Sequence, residues 1–161
     1  MPTSLRPILL YLLIITVIGG LVQLFIPAKP PLREEKTDLA RLQLEGAEIE
    51  LVARLVHAES RGEPYEGQVA VAAVVFNRVE HPAFPDTVAG VIYQPQAFSV
   101  VADGQLNLPY NDQAMAAVHD ALNGWDPTDG ALYFYNPVRA RSSWLRKRPI
   151  KTTIGKHIFA E

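Results

Sequence analysis

The sequence predicts an α+β domain, a helical core with a small sheet to one side. Two observations carry this. Helix-like segments come first, and the strand-like runs are later and shorter. A third feature stands apart from the domain: one long uncharged apolar run at the N-terminus.

That run, ILLYLLIITVIGGLVQLFI, covers residues 8–26, with Gln23 as its only strongly polar member. Its length suits a bilayer core of about 30 Å. Residues 1–26 are therefore expected to be an uncleaved membrane anchor. A cleaved signal peptide is the alternative, but it calls for a shorter apolar region and an A-x-A-like site. Arg6 precedes the span and Lys29, Arg33 and Lys36 follow it, so charge alone does not orient it. Residues 27–46 read as a stalk: Pro27, Pro30 and Pro31 favour extended backbone. A short helix from Thr37 or Asp38, stopped near Gly46, is expected within it.

Residues 47–161 are enough for one small core. The first helix is expected from Ala47 to Ser60, with an interruption at Pro64 and Gly67. Residues 68–79, QVAVAAVVFNRV, are apolar on nearly every side, which predicts a helix at the centre. Asp86-Thr87 should start a short helix through Ile92. Asn111 or Asp112 should cap another, with Met115, Val118 and Leu122 inward and Gly124 as its stop. AFSVVADGQLN reads as two short β-like runs about a turn at Asp103-Gly104. ALYFYNP, residues 131–137, reads as a strand, and IKTTIGKHIFA as a closing hairpin turning near Gly155.

Composition narrows the chemistry. A net charge of −2 gives no basic field for nucleic acid. The absence of cysteine removes disulfides, cysteine-based zinc sites and a thiol nucleophile. His57-Ala58-Glu59 has the H-x-E form of zinc deaminases but lacks their P-C-x-x-C partner. The four histidines, 57, 81, 119 and 157, are scattered, so neither metal nor cofactor is expected. No G-x-S-x-G elbow, P-loop or G-x-G-x-x-G occurs.

Glu59 is the anomaly. Val52, Leu55 and Val56 share one helical face, and the next position on that face is Glu59. A carboxyl held against apolar side chains has its neutral form favoured. That is what a general acid near neutral pH requires, and sugar-cleaving enzymes use it on a leaving glycosidic oxygen. Hydrolysis commonly needs a second carboxylate. Glu63, Glu66 and Asp103 are the candidates, but Pro64 disfavours helical geometry at Glu63, and all three read first as turn or surface residues. The other route needs one carboxyl, serving as acid and then as base while a substrate hydroxyl attacks the anomeric carbon.

Flat and amide side chains suit a sugar groove. Tyr93, Phe98, Tyr133, Phe134, Tyr135 and Trp144 offer flat faces, and Gln94, Gln96, Ser99 and Asn136 offer hydrogen bonds; of these, Tyr93, Phe98, Tyr133 and Tyr135, with Gln96, Ser99 and Asn136, are the candidate substrate-binding residues. Alternation along YFY sends Tyr133 and Tyr135 one way and Phe134 the other. Arg139 to Lys156 holds seven Lys or Arg and no acid, either a solvated face or a rim attractive to an anionic polymer or to anionic lipid.

Several blocks occur together and in order: AESRGEPYEGQVAVAAVVFNRV, FPDTVAGVIYQPQAFSVVADG, ALNGWDP, GALYFYNP and TIGKHIFA. In these the chain resembles the SleB-like cell-wall hydrolases, the spore cortex-lytic family, over residues 49–160. The resemblance implies a lysozyme-like fold related to lytic transglycosylases. It implies peptidoglycan glycan strands as substrate, cut between MurNAc and GlcNAc, and Glu59 as the catalytic acid. Such a lytic transglycosylase would act in spore-cortex or general wall remodelling, outside the cytoplasmic membrane; protein partners are not indicated. A hydrolytic muramidase or glucosaminidase, or a non-catalytic wall-binding protein, are the alternatives.

Overall fold

The computed structural model describes residues 46–161. The expected anchor, and the stalk with its short helix up to residue 45, lie outside the described residues. Among the described residues no helix is long and apolar enough to cross a membrane.

Helix α1 is Gly46–Glu59 and α2 is Tyr65–Glu80. The short α3 is Val88–Ile92, α4 is the single turn Ser99–Ala102, and α5 is Asp112–Leu122. Strands β1 (Tyr133–Tyr135), β2 (Ile150–Ile154) and β3 (His157–Ala160) follow. They form one antiparallel sheet in the order β1-β3-β2, with Phe134 opposite Phe159 and Ile154 opposite His157. Helices first and a small sheet after agree with the expected α+β architecture.

Helix α2 is the centre of the domain. Val69 through Phe76 are all buried, because no side of this helix is polar enough to face water. It packs against α1 and α5. At its start the Tyr65 hydroxyl donates to Asp120 Oδ2 of α5 at 2.6 Å; desolvation first, then this bond and the Asp120 charge, raise the phenol pKa to about 12. This helix begins three residues earlier than the sequence predicts. Pro64 takes the N-cap position, next to the first turn where backbone donors are unpaired anyway. The caps of α3 and α5 fall where expected. Thr87 Oγ1 accepts from Gly90 N at 3.1 Å, and Asn111 Oδ1 accepts from Ala114 N at 2.9 Å.

The expected β-like runs around Asp103-Gly104 are corrected. The turn is there, with Gly104 at φ 78, but its flanks are helical: α4 before it and a 3₁₀ turn, Gln105–Asn107, after it. Four or five apolar residues carry too few periods to separate strand from helix. The turn itself is held by Asp103, whose carboxylate accepts from Gln105 N at 3.1 Å and Gln105 Nε2 at 2.6 Å.

One polar knot fixes the entry to β1. Asp126 Oδ1 accepts from Thr128 N and Oγ1, and Oδ2 from Asn77 Nδ2 of α2 and Gly130 N, all within 2.9 Å. Burial alone would raise this carboxyl's pKa, but the four donors together hold it below the ordinary value.

Candidate active site

Periodicity along α1 places Glu59 in line with Val52, Leu55 and Val56, which are fully buried. The helix ends at Glu59, so its carboxyl emerges half-buried at the edge of the core. There it meets the first turn of α4: Val100 N donates to Oε1 at 3.4 Å and Ser99 Oγ at 3.5 Å. Both contacts are long and help the anion little. Desolvation is the larger influence, the charge of Asp103 adds to it, and the pKa of Glu59 is raised above 4.5. Neither Arg61 nor Arg78 pairs with it.

Glu59 opens onto a cleft of about 550 Å³ between α1, the 96–99 segment and β1. Gln96, Phe98, Ser99, Tyr135 and Asn136 line it, so the tertiary structure brings five of the seven candidate binding residues to Glu59. Gln96 sits at φ 63, a left-handed backbone that is costly for a residue with a Cβ. Tyr133 lines an adjoining hollow of about 420 Å³, and Tyr93, at the end of α3 and 57% exposed, lines neither. Phe134 packs against Phe98 and Phe159 and is half-buried, with its remaining surface lining both the cleft and the hollow. Tyr135, on the opposite face of the strand, is nonetheless buried.

Of Glu63, Glu66 and Asp103, Glu63 alone lines the cleft. Its Oε2 accepts from Lys156 N at 2.8 Å, in the β2–β3 turn. Asp103 is exposed and bound to Gln105, and Glu66 is exposed on the first turn of α2.

Two residues of the cleft escape the sequence reading. Arg78, from the last turn of α2, is 5% exposed, and its Nε donates to Leu132 O at 2.7 Å. Its guanidinium faces Phe98, Phe84 and Tyr133 at 4.9, 5.3 and 5.5 Å. Burial lowers its pKa to about 10, which leaves it charged at neutral pH. The signal was a single cation in an otherwise apolar run. His157 of β3 is buried with Nδ1 unpartnered, and burial lowers its pKa, so it is neutral at pH 7. Arg61, Arg139, Arg141 and Lys156 stand on the rim, in keeping with the basic run. Among the described residues no group of three His, Asp or Glu could hold a metal ion.

A helical domain with a small antiparallel sheet, and one poorly solvated carboxyl opening onto a cleft, places the molecule in a class already seen in crystals. It is similar to the catalytic domain of the Bacillus cereus SleB protein, at 56% identity and a TM-score of 0.69, over 73% of this chain and 91% of that one. It is also similar to the catalytic domain of the germination-specific lytic transglycosylase SleB from Bacillus anthracis, at 55% identity and a TM-score of 0.71, over 74% and 98%. The chain belongs to the cell wall hydrolase family, whose model matches residues 62–160. A relative from Oceanobacillus iheyensis, a spore cortex-lytic enzyme, is 58% identical over 114 residues, 71% of this chain and 41% of that protein. The chain spans less than half the length of the curated spore cortex-lytic enzymes it matches.

Proposed function

We propose that this protein cleaves the glycan strands of peptidoglycan between MurNAc and GlcNAc, as a lytic transglycosylase. The observation that carries the reading is Glu59: the one carboxyl lining the cleft whose pKa is raised and which no strong donor engages. Raised this way, it can deliver a proton to the leaving glycosidic oxygen and then, as a carboxylate, take one from the C6 hydroxyl of muramic acid. That hydroxyl is tethered to the reacting ring, so its effective concentration is high and no second base is needed to activate water. Glu63, the other carboxylate of the cleft, is engaged by the hairpin backbone. Membership of the cell wall hydrolase family and likeness to a germination-specific lytic transglycosylase support the same reading. So does the lysozyme-like relationship that the sequence blocks imply.

Gln96, Phe98, Ser99, Tyr135 and Asn136 are proposed to contact the sugars bound at Glu59. The site of action is the spore cortex or the wall more generally. The protein is proposed to be held by residues 8–26 with its domain outside the cytoplasmic membrane.

Digestion of purified peptidoglycan in ¹⁸O-labelled water tests the chemistry. The expected products end in 1,6-anhydromuramic acid without label. Reducing muramic ends carrying ¹⁸O would instead assign a hydrolase, with Glu63 as the partner carboxylate.

A further inference from the structure

The Glu59 cleft and the adjoining hollow share a wall made of Arg78, Gln96, Ala97, Phe134 and Leu145. Beyond that wall the hollow ends on Tyr133, Phe84 and Trp144. Trp144 keeps 53% of its surface exposed, so core packing does not account for an indole here. Yet it is held in place. The Arg148 guanidinium lies 4.1 Å from its ring centre, and Tyr133 meets it at 5.3 Å with the rings perpendicular. Arg148 also lies 4.6 Å over Tyr133, its Nη2 donates a long bond to the Tyr133 hydroxyl at 3.5 Å, and its buried Nε has no hydrogen-bond partner, so stacking is the main contact of this side chain.

We propose that this hollow is a distal saccharide subsite, in which Trp144 stacks on the ring of an N-acetylhexosamine unit one or more residues from the bond cleaved at Glu59. The inference rests on the glycan-cleaving reading. An indole face is apolar and carries the negative side of the ring quadrupole. A pyranose presents its C–H bonds on one face, apolar and weakly positive, and its hydroxyl groups around the rim. The hollow matches both parts, with Trp144 and Tyr133 for the face and Gln94, Gln96 and Ser142 for the rim. Arg78 adds a donor for an acetamido carbonyl: it lines the hollow, spends Nε on Leu132, and among the described residues its other guanidinium nitrogens have no hydrogen-bond acceptor. Because Arg148 has already immobilised the indole, binding loses little side-chain freedom. The shared wall sets the two hollows side by side, so a strand bound at Glu59 has the second within reach of its next sugars.

The test uses the full-length chain and peptide-free glycan oligosaccharides of four and eight sugars. For the wild type, kcat/KM should rise with length. In Trp144→Ala the ratio of long to short should fall about tenfold, and Trp144→Phe should retain most of it. Arg148→Ala, which keeps the indole but frees it, should lower the ratio less than Trp144→Ala does. A second readout does not need turnover. In Glu59→Gln with Trp125→Phe, Trp144 is the sole tryptophan, and its emission should shift to the blue on binding the eight-sugar strand. A wild-type rate independent of length, equal losses on both substrates, or an unmoved spectrum with bound glycan would overturn the subsite. If no glycan of any length is cut, the preceding functional reading falls, and this inference with it.

Discussion

The carboxylate of Glu63 accepts the backbone N–H of Lys156 at 2.8 Å, joining the α1–α2 connection to a turn 93 residues away. The turn leaves room for it only because residue 155 is glycine. Gly155 has φ 57, and a Cβ there would run into the Glu63 carboxylate and lie 2.7 Å from Pro64 Cδ. The latch holds the β2–β3 hairpin beside the cleft, and with it His157 and Lys156.

Glu63→Gln should therefore keep most activity, because an amide oxygen still accepts from Lys156. Glu63→Ala should lower stability by about 1 kcal/mol, a discounted value for an exposed charge-assisted bond. Thermal melts and glycan turnover of both variants check this. A Glu63→Gln enzyme as inactive as Glu59→Gln would make Glu63 a chemical participant.

Glu59→Gln should lower turnover by about 10² to 10⁴ through loss of acid–base help. Its stability should show a characteristic pH dependence. The folded pKa of Glu59 is raised, so ionisation there opposes folding. The wild type has its full stability below the unfolded pKa near 4.5 and loses part of it as pH rises through the folded value. Glu59→Gln should match the wild type at acid pH and be the more stable at pH 7. Denaturant melts at the two pH values decide it.

Asp126 has the opposite sign. Its folded pKa is depressed, so it stabilises above its unfolded pKa near 3.8, and that contribution is lost as pH falls through the folded value. Asp126→Ala should cost about 2 kcal/mol or more at pH 7, since four donors lose a charged acceptor. The deficit relative to wild type should shrink in acid. A pH series of urea melts is the measurement.

Gln96→Gly should separate strain from function. A left-handed backbone costs a residue with a Cβ about 1–2 kcal/mol, which glycine avoids. Melting temperature should hold or rise while turnover falls with loss of the amide. A variant both stable and fully active would remove Gln96 from the binding site.

The proposed anchor predicts topology. Alkaline phosphatase fused after Glu161 should be active in cells. An inactive phosphatase, with an active cytoplasmic reporter at the same position, would place the domain inside.

Local pattern along the chain was enough for the helices and for the register of Glu59. The 3.6-residue period put Glu59 on the face of Val52, Leu55 and Val56, and α1 bears that face buried. An apolar run without a polar side made α2 central, and Gly155 between the short runs IKTTI and KHIFA marked the hairpin. Where the local signal was short, it misled: residues 99–107 form helical turns instead of β-like runs, because a single turn has no period to read. The tertiary structure alone decided the state of each carboxyl. Glu59 is raised because α4, forty residues on, shields it while offering only long hydrogen bonds. Glu63 is engaged because a distant turn supplies its donor. Arg78 became a wall of the cleft through Phe98 and Leu132, both far along the chain. Desolvation and hydrogen bonding depend on which groups are near in space. A sequence window sees neighbours along the chain, and these partners lie tens of residues outside it.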